Sequence, residues 1–404
     1  HLSIRRQRQM CIRDRANIFT FQDNLIVNLA DMLRIKIEPQ ILHELSLSRT
    51  TVPRAFEFYL QARGYLLDES KEGNIEKAVD LFQKALEQDS SYALAYAGLG
   101  EAFWKKFILT TNPEWLSQPQ SYLSRSIQIE DRLASPHMTL GSFYRRTGQY
   151  EKAISEFQRA LQLDPKNYEA IAALALCYEE QGNLEKAEEI YKETIKLKDD
   201  YWKGYGDLGF FYYFQGRYAE AEKFFLRSAE LAPGNTLVLN NLGATYIKLG
   251  QSEQATAMFE KSLSIKPNAD ACSNLALIYY YQGRYADAMA RNEEAIELGE
   301  NEWKTWGNLG DCYRFTPGYS EKALDAYQHA IQLAEGKLLA EPSDAHLHAS
   351  LALYLAKSGE HEKALAEISE AHKLKPKDID ILLDSIVVFE LSGKRDQAVL
   401  ALEE

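Results

Sequence analysis

The sequence contains few prolines and few cysteines, and it has no long apolar run. Only 11 of its 404 residues are proline, which argues against a sheet protein rich in proline turns. No stretch approaches the roughly 20 apolar residues that a membrane-spanning helix needs, so we expect no membrane insertion. The cysteines lie far apart and form no CxxC pair, which predicts neither a disulfide framework nor a zinc site: Cys11, Cys177, Cys272 and Cys312.

Basic residues are also in the minority. The 46 Lys and Arg against 59 Asp and Glu give a formal charge of −13, so we expect no nucleic-acid partner. Residues 1–15 (HLSIRRQRQMCIRDR) hold five Arg and one Asp, a net +4, which leaves −17 for residues 16–404. This segment is similar to translated read-through that recurs in metagenomic gene calls. We interpret residues 1–15 as non-native or artefactual and exclude them from the fold.

Motifs for catalysis and cofactor binding are missing as well. The sequence has no GxxxxGK[ST] phosphate-binding loop and no HRD or DFG kinase signature. The pair His346 and His348, with His361 and His372 further on, could suggest a metal site. However, residues two apart on a helix point about 200° away from each other and share an ion poorly. We therefore expect no catalytic residue, cofactor or metal, and a chain that is not an enzyme.

The feature that organises the sequence is an internal period. Alanines at the end of an (E/D/A)-(K/E/Q/D)-A triplet recur at steps of 34, 34, 34, 33 and 35 residues between Ala153 and Ala323. Further triplets precede and follow this tract across insertions, which gives nine positions: Ala78, Ala153, Ala187, Ala221, Ala255, Ala288, Ala323, Ala364 and Ala398. A period of 34 residues indicates repeated helix–turn–helix units.

Residues 134–165 show how one such unit works. The small Gly141 lets the partner helix approach the first helix closely, and Gly148 ends that helix because glycine adopts the left-handed conformation without Cβ strain. Ala153 and Phe157 lie one turn apart on the inward face of the second helix. Pro165 blocks its continuation. The pattern predicts a helical hairpin.

The same residues recur along the chain. A glycine stands five residues before every triplet alanine: Gly73, Gly148, Gly182, Gly216, Gly250, Gly283, Gly318, Gly359 and Gly393. A leucine followed by a small residue recurs on the first helix of eight units: Leu99, Leu140, Leu174, Leu208, Leu242, Leu275, Leu309 and Leu351. These residues closely resemble the tetratricopeptide repeat (TPR) family over residues 54–404.

This resemblance implies an all-α fold, a right-handed α-solenoid superhelix of about ten TPR units. The expected unit bounds are about 54–91, 92–133, 134–167, 168–201, 202–235, 236–268, 269–302, 303–344, 345–378 and 379–404. The family binds proteins, so the expected function is a non-enzymatic scaffold that holds an extended peptide or partner protein in the concave groove. Self-association through the solenoid ends is a further expectation.

Residues 16–53 are interpreted as the helical tail of a truncated TolB-like domain or as a linker. The run from IFTFQD to TVPRAFEFYLQARGYL is similar to the junction where a TolB-like domain passes into repeats in bacterial regulatory proteins. This likeness gives the alternative function: the regulatory half of a serine/threonine kinase, nucleotide cyclase or transcriptional regulator whose output domain lay upstream. The expected location is the cytoplasm, or the outer part of a membrane-anchored regulator. Both termini are expected to be cut.

Candidate binding residues come from the position just before the leucine–small pair. Four consecutive units carry an amide or carboxylate there, and seven residues further on stand aromatic or basic residues: Asp207, Asn241, Asn274 and Asn308, then Phe214, Lys248, Tyr281 and Phe315. The three asparagines resemble the asparagine ladder in the repeats of the O-linked N-acetylglucosamine transferases. Arg146 is a candidate for attracting acidic peptide termini. The alternative is that these residues only support packing between helices.

Overall fold

The computed structural model describes residues 39–48, 50–68, 71, 73–339 and 341–403. These residues form α-helices joined by short turns, with one short 3₁₀ helix and no strand among them. Residues 1–38 lie outside the described part of the chain, and with them Cys11 and most of the predicted segment 16–53. No helix of the described residues combines the length and apolar character that crossing a bilayer requires.

The described helices divide into two compact units after Asp200. The helices of the first unit are α1 Pro39–Leu47, α2 Pro53–Leu66, α3 Asn74–Gln88, α4 Ala93–Thr110, α5 Gln118–Ile129, α6 Ala134–Arg146, α7 Tyr150–Leu163, α8 Tyr168–Glu180 and α9 Leu184–Leu197. Those of the second unit are α10 Trp202–Phe214, α11 Tyr218–Leu231, α12 Thr236–Lys248, α13 Ser252–Ile265, α14 Ala269–Tyr281, α15 Tyr285–Glu297, α16 Trp303–Phe315, α17 Ser320–Leu338, α18 Ala345–Lys357, α19 His361–Leu374, α20 Ile379–Leu391 and α21 Arg395–Glu403.

Within each unit, consecutive helices pack as hairpins, from α2 with α3 to α8 with α9 and from α10 with α11 to α20 with α21. Each hairpin also packs on the next one in its unit. Contacts between neighbours along the chain dominate such a repeat architecture. The predicted all-α class with stacked helical hairpins is confirmed.

Seven of the nine predicted glycines end a first helix for the expected reason, whereas Gly73 precedes the start of α3 and Gly318 lies in the turn after α16. All nine have a positive φ, between 68° and 88°. At Gly148, for example, the glycine N–H donates to the carbonyl of Arg145 at 3.0 Å, and the N–H of Gln149 donates to the carbonyl of Tyr144 at 2.8 Å. These two hydrogen bonds satisfy backbone carbonyls at the helix end, and they require the left-handed conformation that glycine takes most easily.

The triplet alanines lie where the two helices of each hairpin pack against each other. All nine are at most 4% exposed. Across from them, the small residue of the first helix faces an aromatic ring of the second: a Cβ on Gly141 would lie 2.7 Å from Phe157 Cε1, and one on Gly243 would lie 2.7 Å from Phe259 Cζ. Glycine at these positions is therefore required by the close approach of the two helices.

Two units depart from the regular repeat. The expanded second unit contains a short 3₁₀ helix, Pro113–Ser117, before α5, and α5 begins at Gln118, next to Pro119. Proline fits the first turn of a helix because its missing N–H would have no partner there. Helix α17, the second helix of its hairpin, is 19 residues long in total and ends at Leu338.

Candidate functional site

The predicted ladder lies on the first helices of the second unit. Among these helices, α10 contacts α12, α12 contacts α14 and α14 contacts α16 directly, in addition to the intervening second helices. The leucine that follows each ladder residue is at most 2% exposed. The ladder residues themselves are only partly buried: Asp207, Asn241, Asn274 and Asn308. Each ladder side chain thus borders the core of its own repeat and reaches the surface of the first helices.

The hydrogen-bonding state of the three asparagines differs. Among the described residues, the side-chain amides of Asn241 and Asn308 have no hydrogen-bond partner. The amide of Asn274 donates to the carbonyl of Asp270, one turn earlier, at 2.8 Å. An asparagine side chain offers two donors and one acceptor with two lone pairs. Asn241 and Asn308 therefore keep their whole bonding capacity for another molecule, and Asn274 keeps part of it.

Asp207 differs from the asparagines in being charged. Its Oδ2 atom is buried and has no hydrogen-bond partner within the described residues. Burial raises the pKa of this carboxyl to about 6, and the nearby Lys203 ammonium offsets part of that effect. A buried carboxylate oxygen without a donor is unfavourable. A donor from a bound molecule would remove that penalty.

The residues seven positions further on are exposed. The side chains of Phe214 and Tyr281 are 62% and 80% exposed, and each packs on an aromatic neighbour of its own helix, Phe210 at 4.6 Å and Tyr280 at 5.7 Å between ring centroids. Lys248 is exposed too. Exposed aromatic side chains of this kind supply contact area for apolar parts of a ligand.

Phe315 has a second role. Its ring stacks on Tyr285 with centroids 5.0 Å apart and planes at 22°, and it lies 6.1 Å from Tyr280. Both partners belong to the preceding repeat, so Phe315 supports packing between repeats. For this residue the structural alternative raised by the sequence has direct support.

A pocket of about 200 Å³ opens beside Asn308. Asp311, one turn further along α16, lines it and is held by three hydrogen bonds, from Tyr327 Oη at 2.6 Å and from Lys357 Nζ at 2.6 and 2.7 Å. The sequence reasoning missed Asp311. Its spacing of three residues from Asn308, on the same helix face, was the available signal.

Arg146 lies in the first unit and does not belong to the ladder. It is exposed at the end of α6, where basic residues favour the negative end of the helix dipole. The first unit has its own pocket of about 250 Å³, which Glu44 of α1 lines together with Tyr59 and Arg63. The Glu44 carboxylate accepts from the Ser135 N–H at 2.7 Å, at the start of α6.

The histidines raised as a metal alternative contact different groups. His348 Nδ1 lies 2.6 Å from Glu367 Oε2, and His346 Nε2 lies 3.2 Å from Asp378 Oδ2. In the part of the chain that the structure describes, no three His, Cys, Asp or Glu residues are arranged to hold a metal ion.

The three described cysteines are free and buried, and burial raises the pKa of each thiol above its usual value, to about 12, 11 and 12 in Cys177, Cys272 and Cys312. A raised pKa disfavours the reactive thiolate, so these side chains behave as small apolar groups.

Comparison with known proteins identifies the repeat type. Tetratricopeptide repeat models match residues 144–208, 203–268 and 268–301, and a TPR repeat model matches residues 70–106. No curated protein matches the sequence. These matches concern repeats, so the likeness of residues 16–65 to a TolB-like junction stays a prediction.

The chain is also similar to solved structures. The APC/C hetero-tetramer Cut9–Hcn1 is 15% identical over 85% of this chain and 76% of that chain, with a TM-score of 0.50. A tetratricopeptide repeat protein from Parabacteroides merdae is 18% identical over 63% of this chain and 99% of that chain, with a TM-score of 0.47. The likeness to Cut9–Hcn1 concerns the fold. The chain therefore contains tetratricopeptide repeats and is an all-α solenoid built from them.

Proposed function

We propose that this chain is a non-enzymatic scaffold that binds an extended segment of a partner protein along the first helices of its second unit. The observation that carries the proposal is the pair of ladder amides, Asn241 and Asn308, that have no hydrogen-bond partner within the described residues. Partly exposed amides at the same position of different repeats favour a ligand that is itself periodic. A peptide backbone is such a ligand.

The ladder is suited to bind backbone rather than side chains. Each asparagine can donate to a peptide carbonyl and accept from a peptide N–H, because its amide carries both functions. Asp207 adds an acceptor whose buried oxygen gains a partner only when a donor arrives. Phe214 and Tyr281 stand two turns further along their helices and offer apolar contact to the side chains of the segment.

The charge of the chain supports a protein partner. A net charge of −13 repels a phosphate backbone and attracts basic segments of proteins. We therefore place nucleic acid outside the proposed set of partners and expect binding to weaken as ionic strength rises, because exposed charges are screened.

The test is binding of an immobilised array of extended peptides to the whole chain and to the variant Asn241→Ala/Asn274→Ala/Asn308→Ala. Loss of at least tenfold in affinity for the peptides that wild type binds is the expected result. The control is Gln254→Ala/Gln328→Ala/Gln397→Ala, three exposed amides on second helices. Circular dichroism shows that both variants are folded. Equal binding by the ladder variant and the control would contradict the proposal.

A further inference from the structure

Helix α1 stands outside the repeat pattern and lies on the first helices of the first unit. The hairpins of this unit begin with α2 and α3. Leu45 of α1 is 9% exposed and belongs to the same apolar cluster as Tyr59 of α2 and Leu94 of α4. Together with Glu44 it lines one side of the pocket of about 250 Å³, whose other walls come from α2, α4, α6 and the start of α8. Helix α1 therefore contacts a surface that successive repeats form together.

Glu44 makes a contact that α6 lacks in its own sequence. The residue before α6 is Leu133, whose side chain has no acceptor, whereas Asn167 before α8 accepts from the Ala170 N–H at 2.9 Å. Glu44 Oε1 accepts from the Ser135 N–H at 2.7 Å and so replaces the missing cap of α6. The positive end of the α6 dipole favours a carboxylate at this point. This part of the surface therefore suits an acidic side chain followed by a leucine.

Few contacts hold α1 in this place. Of the side chains described in α1, only Leu45 is buried; Glu44 and Leu47 are half-buried, and His43 and Ser46 are exposed. A helix of nine residues is marginal in water by itself, so α1 depends on these contacts. Because α1 belongs to no hairpin, its release would leave the contacts within each hairpin in place.

The surface continues beyond α1 as an open groove. A second opening of about 410 Å³ runs along α4 and α6 and shares four lining residues with the pocket at α1: Glu101, Met138, Thr139 and Glu169. Ile108 and Leu109 also line it, and they are 47% and 55% exposed. Among the described residues, none of α1 lines this second part. A helix longer than α1 would therefore make the contacts of Glu44 and Leu45 and cover Ile108 and Leu109 as well.

We propose that the groove along α4 and α6 is a second binding surface that receives an amphipathic helix of a partner protein, and that α1 occupies one end of it in the free chain. The partner helix places a carboxylate at the Ser135 N–H and a leucine beside Tyr59, as α1 does with Glu44 and Leu45. Its apolar face continues over Ile108, in the manner of a helix bound in a groove. Binding of the partner and release of α1 are one exchange. Because the surface belongs to the first unit, it does not depend on the ladder of the second unit.

The test measures binding of helical peptides longer than α1, with one fixed Glu-Leu pair in otherwise random sequence, to the whole chain. Wild type is compared with the release variant Glu44→Ala/Leu45→Ala and with the control His43→Ala/Ser46→Ala, which changes two exposed residues of the same helix. An occupied groove lowers the apparent affinity by the fraction of chains in which it is free, so we expect the release variant to bind about tenfold or more tightly than wild type and the control. Peptides with Lys-Leu in place of Glu-Leu should bind about tenfold or more weakly, because the helix dipole disfavours a cation there.

Two further substitutions locate the bound peptide. Ile108→Ser, added to the release variant, should weaken binding about tenfold with unchanged circular dichroism, because Ile108 lines the part of the groove that α1 leaves open. Asn241→Ala/Asn274→Ala/Asn308→Ala, added to the release variant, should leave binding unchanged, which separates this groove from the ladder. A loss of binding with the ladder substitutions would place the peptides on the ladder and overturn the groove.

Three other outcomes would also overturn the proposal: equal binding by wild type and the release variant, equal binding of Glu-Leu and Lys-Leu peptides, and no binding to any of these proteins. If the release variant does not fold, hydrogen exchange of wild type takes its place. Saturating Glu-Leu peptide should then speed exchange of the α1 amides, because α1 is displaced, while the Ser135 amide stays protected by the carboxylate of the peptide. Unchanged exchange of α1 would refute the displacement.

Discussion

Replacing Gly243 by alanine tests the close approach of the two helices in a hairpin. A Cβ on Gly243 would lie 2.7 Å from Phe259 Cζ, 2.8 Å from Cε1 and 3.0 Å from Cε2. The ring of Phe259 is fully buried and cannot move out of the way. Overpacking of this kind costs about 1–3 kcal/mol. Alanine is a better helix former than glycine by about 1 kcal/mol, so part of that cost is offset.

The matched control is Gly64→Ala, in helix α2. A Cβ there meets nothing within 4 Å, so only the gain in helix propensity applies. The difference between the two variants therefore isolates the packing cost, and we expect Gly243→Ala to be about 1–3 kcal/mol less favourable than Gly64→Ala, each relative to wild type. The companion variant Gly243→Ala/Phe259→Leu removes the ring and should recover part of the loss, because the clash and the ring disappear together.

Hydrogen exchange is the suitable assay because repeat arrays do not unfold in one step. Exchange of the backbone amides of α12 and α13 gives the local free energy of opening, and denaturant midpoints give the global effect. If Gly243→Ala is no less favourable than Gly64→Ala, each relative to wild type, the close-packing argument for the repeat glycines is wrong.

Three further results follow from the structure. Gly250→Ala, at φ 72°, should lower the stability of its hairpin by about 1 kcal/mol, and an unchanged thermal midpoint would contradict the left-handed requirement. The pKa of Asp207 is raised to about 6 in the folded chain. This residue therefore makes the free energy of unfolding fall as pH rises from about 4 to 6, because the folded chain binds the proton more tightly than the unfolded chain. The variant Asp207→Asn should remove that fall, as measured by urea titrations across this pH range. Tyr281→Ala should weaken peptide binding several-fold without changing the thermal midpoint, since its side chain is 80% exposed, whereas unchanged binding would remove it from the site.

The helix ends and the pairing of helices were predictable because their causes are local. A glycine with positive φ two residues past the last helical turn ends the helix, as Gly148 does, and each triplet alanine falls on the inward face of a 3.6-residue period. The start of α5 at Gln118 also has a local cause, since Pro119 fits the first turn of a helix and not its interior. The ladder positions were found because they repeat with the period.

Which hydrogen bonds and ring contacts the candidate site residues make was decided by tertiary structure. Nothing local distinguishes Asn274, whose amide bonds its own helix, from Asn241, whose amide has no partner in the described residues. The role of Phe315 in packing depends on rings of the preceding repeat. Lys357 neutralises Asp311 from 46 residues away, and Asn292 faces the same pocket from a different helix. Sequence alone determined the repeated hairpin, because helix geometry depends on residues a few positions apart. The pocket needed the folded chain, because its walls come from helices that meet only when the hairpins stack.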